Sequence, residues 1–134
     1  MTKSSQYFSI LIAVCLLLTA CDGAASSSGG KTVVITPAIK GNLANLNVGD
    51  TIEIQIPTIP TEGFEWVAQD LDTNILVQEG SAVYTEDSSP NSAGGIVTLI
   101  FKAAGSGQTN LNLLYVNSSS SLSSDSFGMV VEVK

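Results

Sequence analysis

Histidine and arginine are both missing from this 134-residue chain, and its two cysteines, Cys15 and Cys21, lie within the first 21 positions. Without histidine no Ser-His-Asp triad or Cys-His pair can be built, and a zinc site of histidine and cysteine ligands is excluded as well. Cationic groups are scarce. Five lysines face twelve carboxylates, so no basic stripe is available to neutralise phosphates, and a nucleic-acid partner is excluded. Two carboxylates can act as a glycosidase pair, but a domain of about a hundred residues leaves little room for a sugar-binding cleft. The chain is therefore not expected to be an enzyme, and no cofactor is expected. Its acidic surface suits solubility or a basic partner.

Calcium is the remaining metal to consider, because Asp70-Leu71-Asp72-Thr73-Asn74 spaces oxygen ligands at alternate positions, as an EF-hand loop does. The pattern then fails. Ile75 stands where glycine makes the sharp turn, and Ser81 where a bidentate glutamate belongs. A solvated turn between strands is the expected structure.

The one long apolar run stretches from Tyr7 to Ala20, preceded by Lys3 and closed by Leu18-Thr19-Ala20-Cys21. A membrane span needs about 20 apolar residues, and this run is shorter, weakly charged in front and ended by small residues. It reads as a signal peptide over residues 1–20. Its closing box resembles that of bacterial lipoproteins, which implies lipidation at Cys21 and anchorage on the outer side of the cytoplasmic membrane, periplasmic in a Gram-negative envelope. Asp22 resembles the signal that retains some such proteins at the inner membrane. Residues 21–30, rich in Ser, Ala and Gly, form a flexible tether. The mature chain then carries four lysines against twelve carboxylates, a net charge of −8. It has no free cysteine and no disulfide.

Residues 31–134 suffice for one domain. Apolar side chains alternate with polar ones at Ile52, Ile54 and Ile56, at Val97, Leu99 and Phe101, at Leu111, Leu113 and Tyr115, and at Met129, Val131 and Val133. A period of two marks strands half-buried in a sheet. Further strands are expected at Thr32 to Thr36, Glu65 to Gln69, Ile75 to Val77 and Val83 to Thr85. No helical period is visible. The fold expected is all-β, an immunoglobulin-like antiparallel β-sandwich of seven or eight strands, with Trp66, Phe101 and Tyr115 as core aromatics. Counting strands up and down puts three long loops, 57–64, 87–95 and 117–126, at one end and the turn Gly105-Ser106-Gly107-Gln108 at the other.

The most distinctive segment lies in the first of these loops. Ile59-Pro60-Thr61-Glu62-Gly63-Phe64-Glu65-Trp66 joins a rigid proline to a permissive glycine just before large aromatics. It resembles the Asn-Pro-Thr-Thr-Gly-Tyr-x-Trp signature of the chagasin family, inhibitors that plug the active sites of papain-like cysteine peptidases. Val48-Gly49-Asp50, Ala93-Gly94-Gly95, Phe101-Lys102 and Leu111-x-Leu113-x-Tyr115 follow the family in order.

The resemblance implies a non-covalent, reversible inhibitor whose partner is a papain-like cysteine peptidase, with a monomer expected. Pro60, Thr61, Glu62 and Gly63 would form the inserting tip, Phe64 would support it, and Trp66 would anchor its base or stack under it. Ala93, Gly94 and Gly95 would make a second contact, and Asn117, Ser118 and Ser119 a third. The chain departs from the family at Ile59, Glu62, Phe64 and Ser92, and most in its serine-rich third loop, where members carry Arg-Pro-Trp. Losing two such anchors costs on the order of 2–4 kcal/mol of binding. The alternative is an immunoglobulin-like envelope lipoprotein that binds another protein or ligand through the same loops.

Overall fold

The structure, a computed structural model, describes residues 29–37, 43–89, 92–120 and 122–134. The expected signal peptide, Cys21 and most of the tether lie outside the described residues. Nine strands are seen among them: β1 (Thr32–Ile35), β2 (Leu43–Leu46), β3 (Thr51–Thr58), β4 (Phe64–Gln69), β5 (Leu76–Gln78), β6 (Val83–Glu86), β7 (Gly95–Ala103), β8 (Gly107–Asn117) and β9 (Ser123–Val133). One sheet runs β1-β3-β7, with β5 and β6 both on the outer edge of β7, and the other runs β2-β9-β8-β4.

The alternation read from the sequence is the alternation of burial. Ile52, Ile54, Leu99 and Phe101 from one sheet and Leu111, Leu113 and Val131 from the other are fully enclosed between the two layers. Each such side chain gains about 1.5–3 kcal/mol by leaving water. With no disulfide expected in the mature chain, this interlayer core is what holds the sandwich together.

Two features differ from the expected antiparallel arrangement of seven or eight strands. β2 is an additional strand, and β1 pairs with β3, and β2 with β9, in parallel. The cause is a change of layer. The chain rises through β1 in the first sheet, descends through β2 in the second and rises again through β3 beside β1, so neighbours in one sheet point the same way. All other pairs are antiparallel.

The β3–β4, β6–β7 and β8–β9 connections all leave at one end. Thr58 pairs with Gly95, Glu86 with Gly95, and Phe64 with Asn117, which fixes the three exits beside one another. At the opposite end lie the turns at Asn47–Asp50 and Asp70–Ile75, together with the β7–β8 turn. There the Asp72 side chain accepts from the Asn74 backbone N–H at 3.0 Å while its carbonyl accepts from Ile75 N–H, so this segment is a turn capped by its own aspartate. The chain also enters at this lower end. Lys31 N–H donates to Asp50 Oδ1 at 2.8 Å, and Asn47 N–H to Oδ2 at 2.8 Å.

The loops are shorter than expected. β3 persists to Thr58, leaving 59–63 free, and Gly95 already belongs to β7. The third differs most: Ser123–Ser126 are strand, paired with residues 114–116 of β8 across an irregularity at Tyr115/Val116, so that among the described residues only 118–120 and 122 lie between β8 and β9. Serine-rich sequence lacks the apolar alternation that reveals a strand, yet its backbone still pairs.

Candidate functional site

The first loop is built from the proline and glycine outward. Pro60 confines Ile59 to extended geometry, and Phe64 N–H donates to the Thr61 carbonyl at 3.0 Å, closing a turn over Glu62 and Gly63. Gly63 has φ +77°, a value the third position of such a turn demands and that glycine adopts at little cost. Pro60, Thr61, Glu62 and Gly63 are all exposed, and Phe64 is half-buried.

Beneath this tip stands a stack of three aromatic rings. The Tyr115 ring centroid lies 5.3 Å from that of Phe64 and 5.3 Å from that of Trp66, both tilted, within the range of favourable aromatic pairing. The Tyr115 hydroxyl accepts from Thr61 N–H at 3.0 Å and points its own proton toward the Ile59 carbonyl at 3.5 Å. Trp66 Nε1–H donates to Thr58 Oγ1 at 3.0 Å, and that hydroxyl donates in turn to the Ile56 carbonyl at 3.1 Å. The loop is therefore bolted at its centre by Tyr115 and at its root by Trp66. Trp66 is only 5% exposed, so it is a support inside the core and presents no surface to a partner.

The third loop is tied to the first. Ser118 N–H donates to the Gly63 carbonyl at 3.0 Å, and the Ser118 hydroxyl reaches the same oxygen at 3.3 Å. Asn117, at the end of β8, accepts on its Oδ1 from the N–H groups of Ser119 and Ser120 at 2.9 and 3.1 Å, which curls the loop. In the second loop, Asp87 N–H donates to the Gly94 carbonyl at 3.1 Å, and Gly94 packs against the Thr58 carbonyl and Ile59. A Cβ at Gly95 would overlap the Thr85 carbonyl and the Tyr84 ring, so this glycine permits strand β6 to lie close and is itself wedged behind the surface. Of the residues expected to make contact, the structure thus gathers Pro60, Thr61, Glu62, Gly63, Ala93, Ser118 and Ser119 on one exposed edge. Phe64, Gly94, Gly95 and Asn117 are half-buried beneath it, and Trp66 stands further in.

Two contributors escaped the sequence reading. Tyr115 is expected as a core aromatic whose hydroxyl reaches a sheet edge, a signal that this hydroxyl needs a partner, but nothing in Leu111-x-Leu113-x-Tyr115 says that the partner is the first loop. Thr58, the acceptor for Trp66, carries no such signal.

A β-sandwich that presents three mutually braced loops from one end is a binding module, and its preformed edge suits a concave partner. The family model of the chagasin family peptidase inhibitors I42 matches residues 45–131. The chain belongs to that family, whose members are inhibitors and not enzymes. No curated protein sequence matches it. Among solved structures it is similar to the cysteine protease inhibitor EhICP2 from Entamoeba histolytica, with a TM-score of 0.62 and 19% identity over 78% of this chain and 96% of that one. It is also similar to amebosin, with a TM-score of 0.60 and 20% identity over 79% of this chain and all of that one. PbICP-C, solved in complex with falcipain-2, aligns with a TM-score of 0.50 and 14% identity over 78% of this chain and all of that one.

Proposed function

We propose that this protein inhibits papain-like cysteine peptidases by seating its loop edge in the active-site cleft, reversibly and without covalent chemistry. The observation that carries this reading is the tip at 59–63, held in one conformation before any partner arrives by Tyr115, Trp66 and Ser118. Binding then costs little loop entropy. Thr61 and Glu62 offer exposed polar groups at the tip, and the Gly63 carbonyl is already engaged by the Ser118 N–H and hydroxyl. Contacts from Ala93 and Gly94 on one side and Ser118 and Ser119 on the other complete the plug. Family membership supports the reading.

The lipobox-like Leu18-Thr19-Ala20-Cys21 supports a lipoprotein held at the bacterial envelope by Cys21, with residues 31–134 as its folded domain. The test of inhibition is a titration of the purified protein against papain and a cathepsin L-type peptidase, alongside Thr61→Ala and Gly63→Glu. Stoichiometric loss of activity is expected for the wild type. Gly63→Glu, strained at positive φ and crowded by Asn117 Nδ2, is expected to lose at least tenfold in affinity. A folded wild-type protein that leaves both peptidases active would overturn the reading in favour of an envelope-binding module.

A further inference from the structure

The two most exposed large hydrophobic side chains among the described residues are Ile59 at 70% and Leu122 at 67%, and both belong to the loop edge. A single exposed aliphatic side chain on a protein surface calls for no explanation. Two at the same end, on different loops and each fixed by its backbone, form a pattern. Ile59 is restricted by Pro60, and its carbonyl faces the Tyr115 hydroxyl at 3.5 Å. The Leu122 carbonyl accepts from Asn117 N–H at 2.9 Å.

They flank the tip. Ile59 lines the groove shared with Asp87, Ser92 and Gly94 of the second loop, whereas Gly63, at the other end of the tip, touches Asn117 and Ser118 of the third loop that carries Leu122.

Resting on the inhibitor reading, we infer that Ile59 and Leu122 are the apolar anchors of this interface, and that the peptidases bound best offer an aliphatic-lined hollow on each wall of the cleft. With their backbones already held, these aliphatic side chains gain hydrophobic free energy on burial at little further cost in loop freedom. Ser118, Ser119 and Glu62 then serve as a polar surround, which matches the division of interfaces into a few apolar anchors and a weakly contributing rim.

The test measures inhibition constants of the purified protein and its Ile59→Ser, Leu122→Ser and double variants against the same two peptidases, with thermal melts of each. Val83→Ser is the control, since Val83 is 60% exposed but lies on the outer face of β6 away from the tip. Each loop variant is expected to weaken inhibition roughly tenfold and the double variant roughly a hundredfold, because separated sites act additively. Leu122→Met is expected to stay within about threefold, as volume and apolarity are retained. Val83→Ser is expected to leave inhibition unchanged. Inhibition by the wild type with both loop variants within about twofold of it would overturn this inference alone, and a loss in only one would overturn the pairing. Failure of the wild type to inhibit would overturn the inhibitor reading and this inference with it.

Discussion

Asp50 shows how one side chain closes the lower end of the sandwich. Its carboxylate is 7% exposed and accepts from the backbone N–H groups of Asn47 and Lys31. The Asn47 N–H first, and then that of Lys31, hold its pKa below the ordinary 3.8 against the opposing effect of burial, with smaller help from the Asn47 side chain and the Lys31 charge. A group whose folded pKa is depressed contributes its full stabilisation above the unfolded value and loses it as pH falls through the folded one. Asp50→Asn is therefore expected to melt at a lower temperature than the wild type at pH 7, and the gap should narrow as the pH is taken from about 5 toward 2. Thermal melts across that range check it, and a gap independent of pH would deny Asp50 this role.

At the scale of strands, the β6–β7 hairpin depends on close approach at Gly95. Adding a methyl group there places it against the Thr85 carbonyl and 2.8 Å from the Tyr84 ring, so β6 must move outward. Gly95→Ala is expected to cost about 1–3 kcal/mol by chemical denaturation, as overpacking does, and to weaken inhibition because the hairpin carries the second loop.

The strands that could be read from sequence are those with three alternating apolar residues, such as Ile52-Ile54-Ile56 in β3 and Leu111-Leu113-Tyr115 in β8. β2 escaped because its four residues show only Ala44 and Leu46 inward, and the outer half of β9 because serine gives no pattern. The loop edge was readable from Pro60 and Gly63, whose backbone constraints are local. The Tyr115 bolt was not, since it joins residues 54 apart in sequence.

Across the whole molecule, charge is unevenly placed. Glu62, Glu65, Glu86, Asp87 and Asp125 lie at or next to the loop edge, whereas the described lysines, Lys31, Lys102 and Lys134, lie toward the opposite end, where Lys102 and Lys134 pair with Glu79 and Glu132. Such a field steers a positively charged partner toward the loops. Against a peptidase of net positive charge, the association rate is expected to fall several-fold when salt is raised from about 0.05 to 0.5 M, with dissociation nearly unchanged. Stopped-flow association rates decide this, and a rate indifferent to salt would count against steering.

The entry of the chain at the lower end has a mechanical corollary. With acylation at Cys21, the ten residues from there to Lys31 span at most roughly 35 Å, and the eight-residue strand β3 adds about 25 Å before the tip is reached. Were the proposed anchor present, the tip would stand no more than about 60 Å above the lipid surface and on the side of the domain away from it, so that an enzyme approaching from the medium would meet the binding edge before the bilayer.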